Sequence, residues 1–128
     1  MSLPRALRQA CLLTCALPAL MAQGIGAVSV EPHPASYTGR APARLRFVAR
    51  VELEGAKTFN YSWERSDGAK SPVKVVHVTN PRQRSMTFTE NWQLGAPGQR
   101  KEVWQRIHVN CGNQHVSSDR AMVSIDCR

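Results

Sequence analysis

From about residue 28 to the C-terminus, apolar and polar side chains alternate, the period of strands with one face buried and one face in water. The clearest case is ARLRFVARVEL (residues 43–53), where Leu45, Phe47, Ala49, Val51 and Leu53 share one side. Arg44, Arg46, Arg50 and Glu52 lie on the other. KTFNYSWER (57–65) repeats the pattern with Phe59, Tyr61 and Trp63, and SMTFTENWQL (85–94) does so with Met86, Phe88, Trp92 and Leu94. Glu90 falls on the apolar side of that segment, the position expected of a rim or a bulge.

EVWQRIHVNC (102–111) sets Val103, Ile107, Val109 and Cys111 against Trp104, Arg106 and His108. RAMVSIDC (120–127) turns Ala121, Val123, Ile125 and Cys127 inward. The shorter VSVEPHP (28–34) and VKVVHV (73–78) complete a set of about seven strands, joined by loops rich in Gly, Pro, Asn and Asp. ASYTGRAP (35–42) and GNQHVSSD (112–119) read as links. After residue 27 no segment of helical period stands out. The pattern predicts an all-β fold, an antiparallel two-sheet sandwich of the immunoglobulin-like type. Aromatic inward positions suit the filling between sheets about 10 Å apart. Asp67-Gly68 supplies a tight turn after the strand carrying Trp63.

The first residues follow another rule. MSLPRALRQ carries Arg5 and Arg8, ACLLTCALPALMA is apolar, and AQGIGA is small. Basic, apolar, then small is the layout of a secretory signal peptide, predicted over residues 1–27. Cleavage is expected at Ala22-Gln23-Gly24 or Ile25-Gly26-Ala27. The apolar run is shorter than the roughly 20 residues a membrane-spanning helix needs, so no membrane span is expected after cleavage. The single domain is then residues 28–128, periplasmic or secreted. Removing the signal takes Arg5 and Arg8 from 17 basic side chains and none of the 9 acidic ones, so the domain stays basic.

Taken together, SYTGRAP, LRF, VELEGAKTFNYSWERSDGA, NWQLG and SSDRAMVSIDC resemble an immunoglobulin-like sandwich module of bacterial exported proteins. That module reads Tyr-Thr-Gly-x-Cys-Pro, an alternating strand, Tyr-x-Trp-x-Arg-Ser-Asp-Gly-Ala, Trp-x-Leu-Gly, and a last strand ending in Cys. Tyr61-x-Trp63 with Arg65, Ser66, Asp67, Gly68 and Ala69 is the most specific part. The resemblance covers about residues 28–127 and implies an exported, non-catalytic module, often an accessory to other domains. It also implies a partner for the terminal Cys in the Cys before the Pro. Here that position is Ala41.

Cys111 and Cys127 remain in the mature protein. Compartment chemistry and geometry point opposite ways for them. An oxidising compartment favours pairing. A simple hairpin of the last two strands places them roughly 23 Å apart at ~3.3 Å per residue, beyond disulfide reach. The expectation is two cysteines not bonded to each other within one domain.

Candidate chemistry changes the picture little. His33, His77, His108 and His115 accompany several Ser without a nucleophile-elbow signature, and no enzyme activity or cofactor is expected. Asp67 reads as a turn residue with one local hydrogen bond. His108-x-x-Cys111-x-x-x-His115 holds metal-ligating residue types, but on a strand His108 and Cys111 point to opposite faces, and the paired Cys of a structural zinc knuckle is missing. No metal site is predicted. Asn60-Tyr61-Ser62 matches a glycosylation acceptor, a short and common signal that carries no weight if the source is bacterial, as the resemblance implies.

The basic balance leaves one functional lead. Arg44, Arg46 and Arg50 share the outer face of one strand, with Arg84 able to lie nearby. Such a face either attracts lipopolysaccharide, anionic cell-wall polymers such as acidic polysaccharide, or nucleic acid, or is a solvated face whose charge prevents edge-to-edge association. Trp104 and Arg106 are outward-facing candidates for the same contact. The expected role is an exported binding or structural module with a protein or envelope-polymer partner and no specific nucleic acid. The alternative is a small secreted inhibitor or effector acting on a cell-wall or host enzyme through its loops.

Overall fold

The computed structural model describes residues 24–128; the predicted signal peptide falls almost entirely outside them. The described residues form nine strands and no helix: β1 (Gly24–His33), β2 (Ser36–Gly39), β3 (Ala43–Glu54), β4 (Thr58–Arg65), β5 (Lys74–His77), β6 (Ser85–Leu94), β7 (Arg100–Cys111), β8 (Gln114–Ser117) and β9 (Ala121–Cys127). They build two sheets. One has the order β1-β3-β6; the other has the order β2-β9-β7-β4-β5, with β8 also paired to β7. None of the described residues lies in a helix long and apolar enough to cross a membrane.

All seven segments of alternating pattern are strands, and two of the predicted links are strands as well. β8 follows the tight turn at Gly112-Asn113, where Gly112 takes φ 58°, and pairs back along β7 with Cys111 opposite Gln114. β9 continues along the same edge of β7, with Gln105 opposite Ala121. Residues 118–120 interrupt the two pieces. There Ser118 N–H donates to Ile107 C=O at 3.0 Å, and the Ser118 hydroxyl accepts from Ile107 N–H at 3.1 Å.

β2 corrects the antiparallel expectation. It runs parallel to β9, with Ser36 beside Ser124 and Gly39 beside Cys127. The backbone leaves β1 in one sheet and crosses to the edge of the other without reversing against β9, so the pair is parallel. The expected start at residue 28 also falls inside β1. Ile25 is buried in the core, and β1 pairs with β3 from Gly24 onward across a bulge between Ile25 and Val28.

The core lies between the sheets. Leu45, Phe47, Ala49, Val51 and Leu53 of β3 are buried against Phe59, Trp63, Val103, Ile107, Val109, Val123 and Ile125. Each large side chain so buried contributes about 1.5–3 kcal/mol. Met86, Phe88 and Leu94 are only partly covered because β6 is a sheet edge. Tyr61 fills the gap there by stacking on Phe88, with ring centroids 4.1 Å apart.

Residues 61–69 explain themselves in this frame. Trp63 is buried, and its backbone is clamped by Ser71, whose Oγ accepts from Trp63 N–H at 2.7 Å. Arg65 donates to both carboxylate oxygens of Asp67, at 3.2 and 2.7 Å, while Ala69 N–H donates to Asp67 Oδ1 at 3.0 Å. Gly68 takes φ 89°, which favours glycine. Asp67 therefore accepts three hydrogen bonds and not the single one its turn position suggested.

Cys111 and Cys127 are free. Cys111 sits at the β7–β8 turn, and Cys127 lies beside Gln99 just before β7 begins, with Cys127 N–H donating to Gln99 C=O at 2.8 Å. Nearly the whole length of β7 separates them, on the order of 30 Å or more at ~3.3 Å per residue. Ala41, in contrast, meets the end of β9: its N–H donates to Arg128 C=O at 3.2 Å, and Arg128 N–H donates to Gly39 C=O at 2.8 Å. The position that carries Cys in the resembling module is thus beside Cys127.

Two outcomes follow for stability. Trp63→Ala should cost about 3–5 kcal/mol as a large aromatic core truncation, and Asp67→Ala about 0.5–1.5 kcal/mol, because the donors it frees on Arg65 and Ala69 are exposed and rebind water; urea midpoints of both variants check the order. Ala41→Cys should bond to Cys127 and raise stability by about 2–4 kcal/mol. Unfolding with and without reductant, together with peptide mapping of the linked pair, reads that gain directly.

Candidate functional site

Because β7 alternates strictly, burying Val103, Gln105, Ile107 and Val109 forces Trp104, Arg106, His108 and Asn110 onto the outer face. Register then adds partners on the same face. β4 places Glu64 opposite Arg106, Ser62 opposite His108 and Asn60 opposite Asn110. β8 places Ser117 opposite His108 and His115 opposite Asn110. Residues far apart in sequence become a continuous polar ladder.

Glu64 is its anchor. Its Oε1 accepts from Arg106 Nε and from His108 Nε2, each at 2.8 Å. These bonds, the one from His108 first, pull the carboxyl pKa from 4.5 down to about 2. The ladder continues from His108 Nδ1 to Ser117 Oγ at 2.6 Å, and Ser117 Oγ lies 3.2 Å from His115 Nε2. His115 Nδ1 meets Asn110 Oδ1 at 2.5 Å, and Asn110 Nδ2 donates to Asn60 Oδ1 at 3.0 Å. The imidazoles of His108 and His115 stack with centroids 5.7 Å apart. Cys111 takes no part, its thiol pointing to Thr58 C=O at 3.5 Å. Among the described residues no three or more His, Cys, Asp and Glu side chains cluster as a metal-binding group.

The five basic-face candidates do not come together. Arg44, Arg46 and Arg50 are on the outer face of β3, the middle strand of the three-stranded sheet, and all three are exposed. Trp104 and Arg106 belong to the outer face of the other sheet, on the far side of the sandwich. Trp104 lies between two guanidinium groups, Arg120 at 4.4 Å and Arg106 at 5.6 Å from its ring centroid, so it is engaged within the domain. Arg106 is tied to Glu64.

Arg44 and Arg46 border a shallow depression of about 340 Å³ shared with Asn91, Trp92 and Gln93. Arg44 pairs across the ladder with Gln93, Arg46 with Asn91 on one side and His33 on the other, and Arg50 with Thr87 and Ser29. Arg50 Nε lies 4.0 Å from Glu52 Oε1, while Arg44 and Arg46 form no ion pair among the described residues. Arg84 is at the same end as Glu52, where its backbone carbonyl accepts from Leu53 N–H at 2.8 Å.

Two features escaped the sequence pattern. The Glu64–His108 contact joins residues whose only sequence signal is that both are polar and outward. Gln105 is the other: it points inward, is fully buried, and neither side-chain polar atom has a hydrogen-bond partner. It borders a cleft of about 200 Å³ with Trp63, Arg65 and Glu90, where the apolar filling between the sheets gives out. Its place in the inward row, between Val103 and Ile107, was the available signal.

No protein-family model matches this sequence, and no curated protein sequence matches it. Solved structures do match. One is the CARDB domain of the PF1109 protein from Pyrococcus furiosus, determined in complex with di-metal ions. It is 15% identical, with a TM-score of 0.54, over 83% of this protein and 97% of that one. The likeness is one of fold, a two-sheet β-sandwich.

Glu64 makes acid stability depend on the ladder. With its folded-state pKa lowered, the ionised carboxylate favours folding above 4.5, and that contribution is lost as pH falls from 4.5 through about 2. Asp67, lowered first by its bonds from Arg65, acts in the same direction. Glu64→Gln should be less stable than the parent at pH 7, and the gap should close toward pH 2. Chemical-denaturation midpoints measured across that range check it.

Proposed function

We propose that this protein is an exported, non-catalytic binding module that holds anionic envelope polymers, such as lipopolysaccharide or acidic polysaccharide, on the outer face of β1-β3-β6. The observation that carries this reading is the row Arg44, Arg46 and Arg50 on the central strand. Two of these guanidinium groups are without an ion-pair partner among the described residues, and Thr87, Thr89, Asn91 and Gln93 run alongside on β6. Successive outward positions on a strand are roughly 7 Å apart, so Arg44 and Arg46 are neighbours and Arg50, beyond Val48, lies two positions further along the same row. Flanking hydroxyls and amides supply uncharged hydrogen bonds to the same ligand. The basic excess of the sequence adds a long-range attraction.

Export is supported by the basic, apolar and small order of the first residues. Kinship with the exported immunoglobulin-like modules is supported by the motif at residues 61–69, in which Arg65, Ser66 and Asp67 close the turn or pin it to a neighbour. Ser66 is an instance: its Oγ accepts from Trp104 N–H at 3.1 Å, joining the turn to β7.

Retention of the mature domain on heparin or immobilised lipopolysaccharide should fall steeply with salt, as charge neutralisation releases counterions. Replacing Arg44, Arg46 and Arg50 together with Ser should lower the log–log salt slope by about 2–3, close to one per lost contact. Arg120→Ser, on the opposite face, should change it by less than one. A parent protein that elutes without salt dependence would remove the proposal.

A further inference from the structure

We propose that His108 and His115 form a binding site for a divalent first-row transition-metal ion of the kind imidazole favours: Cu²⁺, Ni²⁺ or Zn²⁺. The inference rests on which ring nitrogens are already committed. Glu64 is an acceptor toward both Arg106 and His108, so the His108 Nε2 it holds at 2.8 Å must carry the hydrogen. In the neutral imidazole Nδ1 of His108 is then left with its lone pair, aimed at Ser117 Oγ 2.6 Å away.

The same logic fixes His115. Asn110 uses Nδ2 on Asn60 Oδ1, which leaves its Oδ1 facing His115 Nδ1 at 2.5 Å. An amide oxygen only accepts, so His115 Nδ1 carries the hydrogen and Nε2 presents a lone pair. That nitrogen also points at Ser117 Oγ, at 3.2 Å.

Two imidazole lone pairs thus converge on one hydroxyl, which has a single hydrogen to give. One nitrogen is satisfied and the other faces oxygen lone pairs. A cation between the rings removes the conflict. A proton on one ring does so, with Ser117 donating to the other; a metal ion does so by taking up both lone pairs, at roughly 2.0–2.1 Å from each, with Ser117 turned aside or bound through its oxygen.

The surroundings are those of a prepared ligand pair. Each ring is oriented by a hydrogen bond from its other nitrogen, His108 to a carboxylate and His115 to an amide, the outer-shell arrangement that fixes tautomer and raises ligand basicity. The hairpin that carries the rings is set by the β7–β8 register, which also stacks them. Nitrogen donors with no thiolate nearby select Cu²⁺, Ni²⁺ or Zn²⁺ over Mg²⁺ and Ca²⁺. With two protein nitrogens, remaining coordination positions stay open to water or to donors of a second molecule.

The test uses untagged mature protein titrated separately with Cu²⁺, Ni²⁺, Zn²⁺ and Mg²⁺ by calorimetry, with electron paramagnetic resonance on the Cu²⁺ complex. The expected result is one equivalent of Cu²⁺, weaker Ni²⁺ and Zn²⁺ binding, no Mg²⁺ binding, and nitrogen hyperfine structure from two imidazoles. His115→Ala and His108→Ala should each weaken Cu²⁺ binding at least tenfold, and Glu64→Gln by about tenfold or more, while His33→Ala leaves it unchanged. Circular dichroism confirms that each variant is folded; His115, exposed on a short hairpin, is the variant least able to disturb the core. Cu²⁺ affinity unchanged in His115→Ala, or lost in His33→Ala, would overturn the proposal, as would the absence of any one-to-one complex.

Discussion

The structure depends on one constraint: β7 must serve two environments at once. It is a twelve-residue strand, paired along one edge with β4 and along the other with β8 and β9. Val103, Ile107 and Val109 on its inner face complete the core with β3, and the period of two then leaves no choice about the outer face. Every residue of the Glu64–His108–His115 ladder is either on β7 or opposite it. A slip of one residue in this strand would bury Arg106 and His108 and expose Ile107, so core and ladder fix the same register.

The turn at residues 65–69 shows how a recognisable motif can be wholly structural. Arg65 is held by Asp67 and lies over Trp92, 4.6 Å from the ring centroid, which links the end of β4 to the opposite sheet. Ser66 joins β7, and Gly68 supplies the turn. None of these side chains is left over for chemistry. The charges that are left over lie elsewhere, on β3, where burial is complete on one side and solvent covers the other.

The two outer faces therefore differ in kind. On the three-stranded sheet, Arg44 and Arg46 form no ion pair among the described residues, although Glu31 occupies the same face opposite Val48. On the larger sheet, Arg106 and Arg120 are spent on Glu64 and Trp104, and polarity is organised into short directed contacts. Charge count alone treats these arginines as equals; pairing separates them.

The alternation of apolar and polar residues by itself determined the all-β class, the seven principal strands and their apolar inward side chains, because a strand's two faces are written in adjacent letters. It also made Trp63 a core residue and Asp67 a turn residue. Only tertiary structure decided the rest. β2 and β8 lie in polar, turn-rich stretches with no run of apolar positions, and become strands by pairing with β9 and β7. The separation of Trp104 and Arg106 from Arg44, Arg46 and Arg50 depends on which sheet each strand joins, a matter of topology. His108 meets Glu64 across 44 residues of sequence through the register of β4 on β7. A hydrogen bond of that range leaves no local trace, since sequence pattern records which face a side chain occupies and not which neighbour stands beside it.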